Sequence, residues 1–212
     1  MTTKERPIIF SGDMVRAILD GRKTQTRRVV KIAQHPQAER VQHFEGLRWD
    51  WLRYDGLRLA TFKCPYGKEG DRLWVREKFS RHMIPEGEPY FYPADRLREC
   101  VDHDNGFHYW ADGEPEYGDW ERPKPSIHMP RLASRITLEI ANIRVERLQD
   151  ISEEDAEAEG APLELGVLER TILGAKARYR SGFVRLWESI NGPGSWDANP
   201  WVWCVSFKRV TP

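Results

Sequence analysis

The sequence predicts an α+β fold that is mostly β: a single domain built on a β-barrel, with a few helices and a long irregular insertion. Strand-like segments stand near both ends of the 212-residue chain, at residues 7–10 and 201–207. Amphipathic helix patterns lie between them, whereas residues 35–125 hold short apolar runs broken by Pro, Gly and Asp. This arrangement favours a barrel in which the first and last strands pair.

The first elements are a short strand, a helix and a second strand. Ser11 follows the strand at residues 7–10 and is a typical helix N-cap, and the apolar residues of 14–19 share one helical face. Gly21 follows the predicted helix and can adopt the left-handed conformation that commonly ends a helix. Residues 24–30 contain β-branched side chains and are predicted to be a strand.

The insertion at about 35–125 is expected to contribute at least one barrel strand, residues 72–79, which follows the Gly70-Asp71 turn. Residues 82–121 carry eleven acids and two basic residues, which indicates a solvated excursion; an acidic mimic of nucleic acid is the alternative. Residues 40–120 also hold 16 of the 24 aromatics. We interpret these rings as core, with stacking on bases as the alternative.

The last third of the chain returns to regular patterns. Residues 135–145 alternate apolar and polar side chains, as a half-buried strand does. Ser152 with Asp155 predicts a cap for a helix that runs through Glu159. A second helix carries five apolar residues on one face and ends at residues 191–194. In the final strand, large apolar side chains alternate with smaller or polar ones.

Composition limits the classes of function. The formal net charge is zero, which argues against a protein that coats DNA without regard to sequence. Three scattered cysteines predict a reducing, cytoplasmic environment, and no apolar run is long enough to span a membrane. No phosphate-binding loop or dinucleotide fingerprint occurs, so no cofactor is expected. Cys100, His103 and His108 are spaced like zinc ligands but lack a fourth partner, so no metal is expected.

The densest chemical signal follows the first helix. Residues 21–31 contain five basic residues and no acid. In a strand, Thr24, Thr26 and Arg28 would share one face, with Lys23 at the preceding turn. The alternative is a solvated basic edge strand that merely protects against aggregation.

This segment resembles the G-x-K-x-x-E-x-R pattern of the ASCH family, which has a PUA-like fold. Gly21, Lys23 and Arg28 match the pattern, and Thr26 stands at the Glu position, as in the bacterial N4-acetylcytidine amidohydrolases of that family. Residues 70–75 and the acidic run that ends at Glu159 also resemble those enzymes. The whole chain is similar to phage and prophage ASCH proteins, at residues 124–131, 187–191 and 196–201.

The resemblance implies a deacylation site. Thr26 would be the nucleophile, Lys23 the base and Glu159 the acid for the departing amine. The pKa of Lys23 would fall because Arg22, Arg27 and Arg28 lie nearby. The alternative for Glu159 is a solvated acid in an acidic run. The further candidates for binding substrate or nucleic acid are Arg22, Arg27, Arg28, Arg76, Ser126, His128, Trp196 and Asn199.

Two other functions remain open. The chain could be a non-catalytic RNA-binding module of phage origin, or a ribonuclease, although no compact carboxylate cluster supports the latter. The expected partner is RNA or a modified pyrimidine nucleoside; no membrane and no obligate protein partner are expected. An enzyme requires Lys23, Thr26 and Glu159 around one pocket, whereas a binding module requires only an open basic surface.

Overall fold

A computed structural model describes residues 3–31, 38–83, 106–115, 120–163 and 179–210. Its main sheet consists of five strands: β1 (Glu5–Ile9), β2 (Gln25–Val29), β6 (Arg72–Arg76), β9 (Thr137–Arg147) and β10 (Trp201–Val210). Their order in the sheet is β1-β6-β9-β10-β2. The pair β1 and β6 is parallel and the other neighbours are antiparallel.

The predicted mostly β, α+β class is confirmed, but the predicted pairing of the first and last strands is wrong. Strands β1 and β10 belong to one sheet, yet β6 and β9 lie between them. Both sides of β10 are occupied, by β9 and by β2, so no side remains for β1. Within the described ranges the ladder therefore does not close into a barrel: β1 and β2 are its edges.

The insertion contains more regular structure than its composition suggested. A three-stranded antiparallel sheet consists of β3 (Arg40–Glu45), β4 (Arg48–Leu52) and β5 (Arg58–Lys63). A two-stranded sheet pairs β7 (Phe79–Arg81) with β8 (Phe107–Tyr109). The strand predicted at residues 72–79 is thus two elements: β6 joins the main sheet, and β7 begins a separate one. Most of the acidic excursion lies outside the described residues.

The core lies on both faces of β10. Trp201, Trp203, Val205 and Phe207 belong to the cluster that packs against the insertion sheet. Trp203 meets the Trp49 ring edge-on, with centroids 5.4 Å apart. On the opposite face, Val202 and Cys204 pack beneath the helices. Both faces of the last strand are therefore buried, because the insertion sheet covers one face and the helices cover the other. The predicted alternation divides its side chains between these two layers.

Three α-helices complete the described part of the chain: α1 (Gly12–Leu19), α2 (Glu153–Ala158) and α3 (Tyr179–Asn191). Ser152 caps α2 as predicted, since its Oγ accepts a hydrogen bond from the Asp155 amide at 3.1 Å. Ser11 occupies the N-cap position of α1 but makes no side-chain cap bond. Among the helices of the described ranges, none is long and apolar enough to cross a membrane.

Candidate active site

Lys23 and Glu159 form a buried ion pair. Lys23 Nζ lies 2.8 Å from Glu159 Oε2 and also donates to the Glu159 backbone carbonyl at 2.8 Å. The two side chains are 0% and 3% exposed. Isolated buried charges are costly, so such a pair persists only when each charge has close partners.

Local backbone structure brings the pair together. Helix α2 ends at Ala158, one residue earlier than predicted, so Glu159 lies past the helix and forms an isolated antiparallel bridge with Lys23. Gly160 follows with a φ of +72°, and a Cβ there would lie 3.1 Å from the Cβ atoms of Ala17 and Lys23. Both the left-handed conformation and the close approach favour glycine at this position.

Arg27 links this pair to a second group of charges. Its Nη1 lies 3.4 Å from Glu159 Oε1, and its Nη2 lies 2.5 Å from Glu146 Oε1 and 2.8 Å from Asp155 Oδ2. Arg144 bonds the same two acids from strand β9, which β10 separates from β2. Three cations and three carboxylates therefore balance, and the Arg27 side chain is fully buried.

Burial has the largest effect on the Lys23 amine. Loss of solvation lowers its pKa, the Glu159 carboxylate opposes that shift, and the Arg28 and Arg27 guanidinium groups lower the pKa further. The direction agrees with the sequence-based expectation, but like-charge repulsion is the smaller cause. Arg22 is not among the main causes of the shift; its exposed side chain pairs with Asp20 at 2.8 Å.

A cleft of about 330 Å³ opens beside the pair, between edge strand β2 and helix α3. Thr26 and Glu159 line it together, so the structure places the predicted nucleophile and acid at one cavity. Lys23 lies behind Glu159 and not in the lining. Other parts of the wall come from Arg27, Arg28, Tyr66, Phe183, Trp187 and Asn191.

Three N–H groups of cleft residues are buried and have no hydrogen-bond acceptor in the described chain: Arg27 Nε, Arg28 Nε and Trp187 Nε1. A buried donor without an acceptor costs about 1–3 kcal/mol. Oxygen atoms of a ligand or of water would relieve that cost. The cleft therefore suits a ligand that combines a flat apolar body with hydrogen-bond acceptors.

Arg28 is held at the mouth of this cleft. It donates to the Ile9 carbonyl at 2.5 Å, and its guanidinium lies 5.3 Å from the Phe10 ring centroid. Arg76, by contrast, does not line the cleft. Its Nε donates to the Met129 carbonyl at 3.1 Å, next to the 3-10 helix Ser126–His128. Arg76 therefore contacts the backbone of the segment that contains Ser126 and His128, and neither of these two residues lines the cleft.

Trp196 and Asn199 also lie outside the cleft lining. Trp196 packs edge-on against Phe183, with centroids 6.3 Å apart. The Asn199 side-chain oxygen accepts a hydrogen bond from the Gln149 amide at 2.9 Å, so it is already engaged. Both residues shape the loop before β10.

No group of three or more potential metal ligands occurs in the described ranges. Of the three candidate zinc ligands, Cys100 and His103 lie outside those ranges. His108 is described, and its Nε2 lies 2.9 Å from the Gly113 carbonyl oxygen.

Sequence reasoning missed the residues that surround Arg27, above all Glu146, Arg144 and Asp155. The alternation of β9 placed Arg144 and Glu146 on one face, which is a usable signal. Their position beside Arg27 depends on β10 lying between β9 and β2, which no local pattern encodes. Cys204 lies in the middle of this group, and burial raises the pKa of its thiol.

No protein-family model matches the chain, and no curated protein or solved structure is significantly similar to it. The function must therefore be inferred from the site itself.

Proposed function

We propose that the chain is an ASCH-type amidohydrolase that removes the acyl group from an N4-acylated cytidine in the cleft between β2 and α3. The observation that carries this proposal is the buried contact of 2.8 Å between Lys23 and Glu159, whose carboxylate shares the lining of the cleft with Thr26. Thr26 stands three residues after Lys23, where the resemblance places a nucleophile.

The pair supplies both proton-transfer groups. Lys23 acts as a base only when it is neutral, so in the reactive state of the pair one proton has moved from Lys23 to Glu159. The loss of solvation that lowers the pKa of Lys23 favours release of that proton. The amine takes the Thr26 hydroxyl proton as Oγ attacks the acyl carbon. The acid then protonates N4 as the C–N bond breaks, which leaves an acyl ester on Thr26.

Hydrolysis of the ester reverses these proton transfers. The Glu159 carboxylate takes a proton from water, and the resulting hydroxide attacks the ester carbonyl. Protonated Lys23 returns its proton to Thr26 Oγ as the C–O bond breaks and the carboxylic acid departs. The cycle restores each group to its starting state, and it requires no metal or cofactor.

The remaining cleft residues would bind the base. Rings of Tyr66, Phe183 and Trp187 provide apolar walls, and Arg28 would orient the nucleoside at the mouth. Arg27 acts through Glu159 and is a positioning residue. The rival module, which needs an open basic surface at β2, is less well supported because the Lys23 and Arg27 side chains have no exposed surface.

The test is release of acetate from N4-acetylcytidine by the purified protein, followed by absorbance. Wild type should turn over, Thr26→Ala should not, and Thr26→Ser should retain part of the rate because it keeps the hydroxyl. Thr24→Ala is the matched control: this neighbouring threonine is exposed and lies outside the cleft lining. No turnover by wild type at high enzyme concentration would refute the proposal.

A further inference from the structure

The insertion sheet presents an exposed polar face on the side away from the core. Trp49, Trp51 and Phe62 point inward to the main core, so their neighbours in sequence point outward. The register places Leu52 beside Arg40 and Arg58, and Arg48 beside Glu45 and Lys63. The outward-facing residues of this sheet, which we call the outer sheet face, are Arg40, Gln42, Phe44, Glu45, Arg48, Asp50, Arg58, Thr61 and Lys63.

Most of the positive charge on this face is not neutralised. Arg40, Arg58 and Lys63 are exposed and make no ion pair with any residue that the structure describes. Arg48 approaches Asp50 only at 3.9 Å. The acids of the face are Glu45 and Asp50, and Asp50 is 5% exposed and accepts a hydrogen bond from Thr61 at 2.5 Å.

The contrast with β2 is informative. The basic run after α1 carries more cations in sequence, but Lys23 and Arg27 are buried against carboxylates and Arg22 pairs with Asp20. A chain of zero net charge can thus bind a polyanion only where cations remain unpaired. In the described structure the outer sheet face meets that condition.

An aromatic ring completes the surface. Phe44 stands at the irregularity between His43 and Glu45 in β3, and it is 62% exposed. The Arg48 guanidinium lies 4.9 Å from its ring centroid. Proteins that bind single-stranded nucleic acids commonly present exposed aromatic rings among cations. A ring stacks on an unpaired base, and the cations contact the phosphates.

We propose that the outer sheet face binds single-stranded RNA, with Arg40, Arg58 and Lys63 at the phosphates and Phe44 stacked on a base. The choice of RNA over DNA rests on the proposed function, since the nucleoside assigned to the cleft is a ribonucleoside. The inference that this face binds a nucleic acid rests only on its unpaired cations and on the Phe44 ring. It gives the insertion a role: holding the strand that carries the modified base.

The test uses a fluorescently labelled, unmodified RNA of about twelve nucleotides, so binding is measured without turnover. Anisotropy titrations from about 50 to about 200 mM salt give the slope of log K against log salt. The triple change Arg40→Ala, Arg58→Ala and Lys63→Ala should make that slope about 2 less steep, at about 0.7 for each phosphate contact. Phe44→Ala should weaken binding about tenfold and leave the slope unchanged.

The matched control removes three exposed cations that lie outside the insertion sheet: Lys4→Ala, Arg122→Ala and Lys208→Ala. The proposal would be overturned if the control variant reduced the salt slope by the same amount. It would also be overturned if the Arg40, Arg58 and Lys63 triple variant kept the wild-type slope. A DNA strand of the same sequence that binds as tightly would overturn the assignment to RNA. Because the RNA carries no acyl group, intact binding without N4-acetylcytidine turnover would refute the amidohydrolase alone.

Discussion

Lys23 and Glu159 lie 136 residues apart in sequence, yet they make two contacts of 2.8 Å in the interior. The contact joins the turn after α1 to the end of α2. It therefore fixes the position of α2 relative to the turn after α1. The same contact supplies the proposed acid and base.

The pair should show strong energetic coupling. Lys23→Met leaves the Glu159 carboxylate buried with only the 3.4 Å contact to Arg27, and we expect it to lower the free energy of unfolding by about 3–5 kcal/mol. The double change Lys23→Met with Glu159→Leu should cost less, because no charge of the pair is then left unmatched. Chemical denaturation measures both.

Arg22→Ala provides the reference for this cycle. Arg22 pairs with Asp20 on the surface, where a salt bridge contributes about 0–1 kcal/mol. If Lys23→Met costs no more than Arg22→Ala, or if the double change costs the sum of the single changes, the buried pair is not coupled.

The catalytic residues should act as one unit. Lys23→Ala and Glu159→Gln should each remove most of the N4-acetylcytidine turnover, and combining either with Thr26→Ala should reduce the rate little more. If the fold-loss of a double variant equals the product of the two single fold-losses, the residues contribute independently. The proposed mechanism excludes that result, because Lys23 and Glu159 share one proton. Circular dichroism on each variant separates loss of chemistry from loss of fold.

Residues with local patterns were predictable. Ser152 and Gly160 mark the ends of the acidic helix region, and the alternation before β9 and in it identified the buried Ile136, Leu138 and Ile140. In β10 the alternation identified only one of the two buried faces. The resemblance led to the expectation that Lys23, Thr26 and Glu159 lie around one pocket. In the structure Lys23 contacts Glu159, and Thr26 and Glu159 line one cleft.

The insertion sheet was missed although a signal existed. Asp55-Gly56 is a strong hairpin turn, and Trp49 and Trp51 alternate with polar residues before it. The high content of Gly, Asp and charge in that region concealed the alternation. The position of Arg144 and Glu146 beside Arg27 was not predictable from local patterns, since it depends on strand order and register between distant segments.

Acid should weaken the Arg27 network. Burial opposes ionisation of Asp155, but hydrogen bonds and charge from Arg144 and Arg27 prevail and lower its pKa from the ordinary 3.8. A carboxylate with a lowered folded-state pKa contributes stability that is present above its unfolded-state pKa. That contribution is lost as the pH falls through the folded-state pKa.

Asp155→Asn should therefore cost about 1–3 kcal/mol at pH 7 and progressively less below about pH 4. Urea titrations of wild type and variant across this range give the difference. A cost that is the same at pH 7 and at pH 3 would mean that the ionised carboxylate does not contribute to stability.

Gly182 should be required for the position of α3 against the cleft. In a helix, alanine normally stabilises by about 1 kcal/mol relative to glycine. Here an added Cβ would lie 1.9 Å from the Pro162 carbonyl oxygen and 3.0 Å from its carbon, both backbone atoms. Gly182→Ala must therefore push α3 away, and we expect a destabilisation of roughly 1–3 kcal/mol.

The same shift should weaken substrate binding, because Phe183 and Trp187 of α3 form the cleft wall. We expect KM for N4-acetylcytidine to rise more than kcat falls, since the Lys23–Glu159 pair does not involve α3. Gly12→Ala is the matched control: its added Cβ would make an ordinary 3.6 Å contact with Ala111, so neither stability nor KM should change much. A Gly182→Ala protein as stable as wild type would show that the contact with Pro162 does not hold α3 in place.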